Sequence, residues 1–513
     1  MAGETQTPKT FRRITEARSV HLQMISWGIS ANSHDAALAV FVDEKLAFAS
    51  HSERFSKKKN DRDLDKNLVS YAKRYWGEPD RVYWYENPKL KTLRQWYAGQ
   101  GWRWSENNIE EYLEQYDLDC PIKYTSHHRS HAALGYYTSN FESACVLVID
   151  AIGEFETLTI WKAEGLNLKK VYSKWFPNSI GLFYSAMTQR LGLKPNEEEY
   201  ILMGMSAYGD PNEHYADMIG DFVKRFDSFS FERNLHRGCK DWKEGTPISE
   251  YFNIAASTQV IYERYFESAL SLGKKLTGSN NLVLMGGCAL NCLANRLTGN
   301  YFNHTWIYPN PGDAGSAIGA VLAHKPHWKD YTDWSTPFLG YDMKSLTDNR
   351  TIVDYLKTNK ICGLARGRAE FGPRALGNRS LLADPRGTDI KDKVNAIKQR
   401  QEFRPFAPVI LEELCDQYFD MPSGWTNSRY MQVIARCRRP DLFPAIIHRD
   451  GTSRVQTLPA DDSPFRKLLE LWYEETGCPM LLNTSLNIKG QPMVNDHIDA
   501  RNFANHYGVK VFT

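Results

Sequence analysis

From Met24 to Ser50 apolar and polar residues alternate through Ile25-Ser-Trp-Gly-Ile-Ser30 and Ala37-Leu-Ala-Val-Phe-Val42, break at Asp43-Glu-Lys45, and resume as Leu46-Ala-Phe-Ala-Ser50. A period of two predicts a strand followed by a β-hairpin. Two unbroken apolar runs, Ala144-Cys-Val-Leu-Val-Ile149 and Leu282-Val-Leu-Met285, predict buried strands, and each ends in polar chemistry: Asp150 in one case, Gly286-Gly287-Cys-Ala-Leu-Asn291 in the other. Ligands of open α/β sheets gather at the carboxyl ends of strands, so the second of these, followed by a helix-like run, is a candidate phosphate cradle of backbone amides. The loop Asn310-Pro-Gly312-Asp313-Ala-Gly-Ser-Ala-Ile-Gly319 repeats the design. Residues 337–349 lose the periodicity. A helix-like segment and the strand Ile361-Cys-Gly-Leu-Ala365 then open a second unit. The expected organisation is a flexible arm at 1–23, a domain at 24–345 and a smaller one at 346–513, all of α/β class, with 210–250 as a polar surface insertion.

Composition narrows the function classes. At 513 residues and 42% hydrophobic, the chain is long enough for two or three globular units. Its 63 Lys+Arg against 61 Asp+Glu leave a formal charge of +2, which excludes a general attraction to nucleic acid or anionic membrane, so any polyanion contact must be local. Nine cysteines without a C-x-x-C pair suit a reducing cytoplasm, which would be a host's if the chain is viral. No apolar run reaches the ~18 residues of a membrane span, and residues 1–18 are polar and basic; no membrane partner is expected.

Three constellations carry chemistry. The segment 366–386 contains Arg366, Arg368, Arg374, Arg379 and Arg386 among turn-forming glycines and prolines, which reads as a shaped anion site because guanidinium forks match phosphate or carboxylate oxygens. Pairing with Glu370 and Asp384 is the competing reading. Lys398, Arg400, Arg404, Arg454, Asn483 and Ser485 follow in turn contexts and would extend that site with cations and directional donors. His127-His-Arg-Ser-His131 places two imidazoles on one helix face, where Asp150 and Asp313 could add oxygen ligands for Fe(II), Mn(II) or Zn(II). His34, at the turn after the first strand, is a candidate base near neutral pH.

These residues, together with Ser33-His-Asp-Ala36, Ser52-Glu-Arg-Phe55, Met203-Gly-Met-Ser-Ala-Tyr-Gly209, Phe403-Arg-Pro-Phe-Ala-Pro408, Asp450-Gly-Thr452 and Asn483-Thr-Ser-Leu-Asn487, resemble the nodulation and antibiotic O-carbamoyltransferases over nearly all of 24–513. The resemblance implies an actin/hexokinase-like ATPase domain followed by a YrdC-like domain. It further implies that carbamoyl phosphate and ATP, the latter with Mg(II), form carbamoyl adenylate in the second domain, with Arg374 and Arg404 central. The carbamoyl group would then pass to an acceptor hydroxyl in the first domain. There His127, His131, Asp150 and Asp313 would hold a divalent metal, His34 would be the base, and Gly286, Gly287, Asn291 and Gly312 would hold the adenylate. Ile201 stands where the family pattern has a basic residue, Ser206-Ala-Tyr208 replaces the commoner Ala-Pro-Tyr, and the glycine usual directly after Asp150 is missing. The chain is compact for the family, as members from bacterial viruses are. Sugars or other small alcohols are the expected acceptors; hydroxymethylcytosine in DNA is the alternative, on account of Arg94-Gln-Trp-Tyr97 and Trp102-Arg-Trp104, whose competing reading is ordinary packing. A tRNA threonylcarbamoyl transferase-like enzyme and a non-catalytic nucleotide-binding scaffold are the other function classes. Oligomeric state stays open.

Overall fold

The computed structural model describes residues 23–345 and 347–513; all but the last residue of the expected arm at 1–23 lies outside the described residues. Five strands, Ile25–Ser30, Ala37–Val42, Lys45–His51, Arg81–Trp84 and Ile122–Tyr124, form a sheet in the order third, second, first, fourth, fifth. The first three pair antiparallel and the last two add in parallel. A second sheet, from Ser143–Gly153, Glu156–Glu164, Asn167–Trp175, Asn281–Met285 and His304–Trp306, repeats that order and those directions. This duplicated arrangement is the architecture of the actin- and hexokinase-like ATPases.

Two helices lie between the sheets, His127–Tyr137 after the last strand of the first and Ser316–Leu322 after the last strand of the second. Small residues let them meet. A Cβ on Gly319 would fall 2.0 Å from the Ser130 carbonyl, and one on Gly28 would fall 1.8 Å from that of Ala317. Larger side chains there would force the halves apart.

The sheets bury their inner faces around Trp27, Phe41, Trp84 and Leu134, while behind the second sheet Leu147 and Ile160 share a core with Tyr262 and Phe266 of the 27-residue helix Tyr251–Thr277. That helix was not foreseen. Residues 210–250 are also no surface insertion: they hold the helix Asn212–Phe222 and a short hairpin, whose Met218, Phe222, Phe231 and Trp242 are buried in the same core. Polar spacing hides this, since only one narrow stripe of the segment faces inward.

Phe338–Met343 crosses to the smaller unit, with Leu339 in the first core and Met343 in the last. A mixed six-stranded sheet follows, in the order Gln456–Leu458, Ala407–Leu411, Met480–Ser485, Arg379–Ala383, Ile361–Ala365, Val511–Phe512. Helices Asn349–Asn359, Pro464–Thr476 and His497–Tyr507 accompany it, each capped by an aspartate or serine accepting backbone amides. Among the described residues no helix is long and apolar enough to cross a membrane.

Candidate active sites

The helix His127–Tyr137 begins where the two halves meet, so its first turn looks into the cleft between them. His127 Nε2 lies 3.2 Å from His131 Nε2, 3.2 Å from Asp150 Oδ2 and 3.5 Å from Asp313 Oδ1. His131 Nε2 lies 3.3 and 3.4 Å from the same two oxygens. Four ligands held ~2.0–2.2 Å from one divalent first-row ion stand at about these separations from one another. Two imidazoles and two carboxylates whose ligand atoms all lie within 4.8 Å of one another are a donor set that fits a divalent ion, and the two Nε2 atoms face each other at hydrogen-bond distance. Asp150 is not the end of its strand as expected: the strand continues to Gly153, with an irregularity in its pairing after Ile149.

Burial alone would pull both imidazoles down, but Asp313 and Asp150 outweigh it, raising His127 to about 9 and His131 in the same direction. Burial works against Asp150 too, yet the facing imidazoles hold it well below the usual carboxylate range. His128 stands outside the cluster, as the helix period requires. Its Nδ1 meets Thr159 Oγ1 at 2.9 Å, and burial and then His127 keep it neutral.

His34 is half-buried on the loop between the first two strands, and its Nε2 has no partner within the protein among the described residues. Beside it lies a pair that sequence reasoning missed. Asp35 accepts from His51 Nδ1 at 2.9 Å, and His51 Nε2 is 3.1 Å from the Asn310 amide, so the loop carrying His34 is tied to the loop carrying Asp313. Tyr85 was also missed: its ring sits 5.4 Å from that of His127 and its hydroxyl is buried without a partner.

The glycine loop borders this centre. Gly286 has φ +90° and a Cβ there would fall 2.2 Å from the Ile149 carbonyl, so only glycine permits the turn, while a Cβ on Gly287 would stand 3.3 Å from Asp150 Oδ1. The helix expected after it is only the turns Gly287–Leu290 and Cys292–Asn295. Asn291 caps the second turn and pairs with Gln259 at 3.1 and 3.2 Å, so its side chain is engaged by the protein rather than free for a ligand. Gly312, with nothing within 4 Å of a Cβ, faces open space.

The five arginines at 366–386 divide. Arg379 is buried and donates to the carbonyls of Asn495, Arg366, Gly367, Asn378 and Tyr341; Arg386 grips Asp384 at 2.8 and 2.9 Å; Arg368 donates to Ala47 at 2.7 Å. These three hold the fold, and Arg366 is buried beside Asn349. Arg374 alone joins a cluster, completed from elsewhere by Arg400, Arg404 and Arg454. Burial, then Arg454 and Arg404, pull Arg374 down to about 9, and burial then Arg404 and Arg454 depress Arg400. Burial also lowers Arg404 and Arg454. None of the four forms an ion pair with a described carboxylate, and Glu198 acts on Arg404 alone, so the pocket keeps a net positive charge.

Three expected donors are corrected. Lys398 Nζ binds Ser485 and Asn487 through four acceptors; the Ser485 hydroxyl is 2.6 Å from Asn487 Oδ1; and the Asn483 amide donates to Ala375 and Gln456. Their hydrogens are used within the protein, leaving Asn483 Oδ1 as a buried acceptor.

The cluster faces the first domain. Arg404 stacks on Tyr200 at 4.7 Å, Tyr208 donates to the Phe403 carbonyl at 2.9 Å, and a crevice lined by Ala289, Leu290, Pro309, Arg374, Tyr430 and Gln432 runs along the joint. Asn295 donates across it to Gln432 at 2.8 Å.

Fold and sites together define a two-domain group-transfer enzyme. Residues 95–322 match the family description Carbamoyltransferase N-terminus and 353–513 match Carbamoyltransferase C-terminus. Uncharacterized protein sll1178 of Synechocystis sp. is 32% identical over 92% of this chain and 93% of its own length. Nodulation protein NolO of Bradyrhizobium diazoefficiens is 32% identical over 73% and 75%, and the 3'-hydroxymethylcephem-O-carbamoyltransferase of Amycolatopsis lactamdurans is 27% identical over 90% and 93%. The chain belongs to the carbamoyltransferase family.

Proposed function

We propose that the protein is an ATP-dependent O-carbamoyltransferase working in two steps at the two clusters. The observation that carries this is the uncompensated set Arg374, Arg400, Arg404 and Arg454, facing the glycine loop whose other end abuts the His127–His131–Asp150–Asp313 centre. Balance of atoms sets the chemistry. Water releases carbamate and phosphate from carbamoyl phosphate, a carbamate oxygen attacks the α-phosphorus of ATP, and pyrophosphate leaves, giving carbamoyl adenylate. The arginines offset the phosphate charge as it shifts to the leaving group.

The acceptor hydroxyl then attacks the carbamoyl carbon and AMP departs. An alcohol is a poor nucleophile near neutral pH, so His34, with a partnerless Nε2, takes its proton. The Asp35–His51–Asn310 chain positions that loop against the Asp313 loop. His127, His131, Asp150 and Asp313 would hold a divalent cation, Fe(II), Mn(II) or Zn(II), which polarises a carbamoyl or phosphate oxygen when bound. Gly312 and Gly287 leave room for the adenylate beside it.

The test is pyrophosphate release from ATP with carbamoyl phosphate, measured without acceptor, in the wild type and in Arg404→Ala and His131→Ala. Release should be lost in the first variant and kept in the second. Release driven by threonine and bicarbonate instead would make the protein a threonylcarbamoyl transferase, and release under neither condition would make it a scaffold.

A further inference from the structure

The strand that carries Asp150 turns at residues 153–155 and this turn is wedged between the metal cluster and the surface. A Cβ on Gly153 would fall 2.2 Å from the His127 ring, Glu154 accepts from Asn87 and its carbonyl from Arg94, and Phe155 lies 6.2 Å from Tyr97 and 6.1 Å from Trp175. Outside the turn the rings are bare. Trp96 is 59% exposed, Tyr97 64%, Trp102 66%, Trp104 37% and Trp175 58%, although an indole left in water normally needs a reason.

The same surface is rich in cations, with Glu106, Glu232 and Asp241 at the borders of its segments. Residues 88–104 carry four Lys and Arg, 167–175 three and 233–240 three, and none of these segments contains an Asp or Glu, in a chain whose overall charge is +2. The segments converge: Phe176 packs 5.4 Å from His236 and 6.3 Å from Tyr97, and Arg237 lies 3.5 Å from a Cβ placed on Gly99. Lys91, Lys170 and Arg103 are held by Glu86, Glu156 and Glu106. Lys89, Arg237 and Lys240 are exposed and ion-paired with none of the described carboxylates.

We propose that this rim seats a single-stranded or locally opened polynucleotide, and that the acceptor hydroxyl is borne by one of its bases, turned past the 153–155 turn into the metal-lined cleft. Base faces stack on aromatic rings regardless of sequence while cations follow the phosphates, and a rim with several rings and unpaired cations exceeds what one small alcohol engages. The near-neutral total charge is no obstacle, because only this surface must attract the strand. The proposal names the acceptor class of the transfer step and rests on the carbamoyl-transfer reading.

Two variants, Trp96→Ala/Trp102→Ala and Arg237→Ala, alter exposed side chains only. A fluorescein-labelled single-stranded oligodeoxynucleotide containing hydroxymethylcytosine is titrated with the full chain at several salt concentrations and then offered as acceptor with ATP and carbamoyl phosphate. The wild type should bind it with salt-dependent affinity and add one carbamoyl mass; the double tryptophan variant should bind about tenfold more weakly or worse, and Arg237→Ala should flatten the salt slope by about one. Absence of binding at low salt, or binding unchanged in the tryptophan variant, overturns the proposal, as does equal transfer to the free nucleoside by wild type and variant. Pyrophosphate release without acceptor is recorded on each sample: its persistence in the face of failed oligonucleotide binding refutes the rim alone, and its absence refutes the carbamoyl-transfer reading itself.

Discussion

Arg374→Met separates a binding arginine from a structural one. In the protein without substrates Arg374 stands beside Arg454 and Arg404 with no carboxylate partner, and burial together with those charges pulls it down to about 9. A group whose folded value lies below its ordinary 12.5 opposes folding at neutral pH; the cost is complete below about 9 and fades only as pH climbs above it. Methionine keeps much of the length without the charge. Replacing buried charges by apolar groups of similar volume gains roughly 1–4 kcal/mol; with part of the side chain still open to water, about 1–2 kcal/mol is the expected gain here. For a unit the size of the smaller domain each kcal/mol raises Tm by about 2–4 °C. The assay is calorimetry with and without carbamoyl phosphate plus ATP. Ligand at about 100 times its Kd adds roughly 2.7 kcal/mol to the wild type, and the variant should lose most of that increment while starting from a higher Tm. A variant that melts lower without ligand, or keeps the full ligand increment, would refute the idea that Arg374 is an uncompensated anion ligand.

Arg379→Met should do the reverse, because five carbonyls lose a buried donor: a loss of roughly 3 kcal/mol or more is expected in urea unfolding, and an unchanged midpoint would contradict it. In the metal-free protein His127 and His131 are raised, so their contribution to stability is full below 6.5 and is lost as pH rises through about 9. A divalent cation requires both rings deprotonated, so its affinity, measured by competition with a chromophoric chelator, should climb across that window with proton release; a flat profile would count against the site. Tyr200→Ala removes the ring under Arg404, a contact worth about 0.5–2 kcal/mol, and should raise KM in pyrophosphate release about 2- to 30-fold while metal affinity stays put.

Much of the candidate metal cluster was legible because its four side chains sit in short local patterns: an i, i+4 pair on one helix, an aspartate on an apolar strand and another in a glycine loop. Helical period and strand pattern are local properties, and they carried over to the folded chain. The arginine segment misled for the complementary reason. Five guanidinium groups within 21 residues look alike in sequence, yet whether each meets a carbonyl, a carboxylate or open space is set by partners as distant as Asn495, Asp384 and Arg454. The same holds for Lys398 and Asn483, whose donors go to Ser485 and Asn487 and to Ala375 and Gln456, partners that the local sequence does not reveal. The helix Tyr251–Thr277 went unnoticed although its length is unusual, because the burial of one face by the second sheet is a tertiary fact.

Separation along the chain also hid how near the two clusters are. Positions 150 and 374 belong to different domains, which suggests an intermediate that must travel. The loop from Gly286 to Cys292 contradicts that picture. At one end Gly287 packs on Asp150; at the other, Cys292 is among the groups that act on Arg374 and Arg454. The crevice between Ala289, Leu290 and Arg374 follows the same loop. The four arginines all belong to the second domain, and Tyr200 of the first domain adds the ring on which Arg404 rests. The division of labour therefore runs between opposite ends of one loop. Closure of the joint, held by Asn295 on Gln432 and Trp425 on Thr298, becomes a condition for the first step as much as for the second.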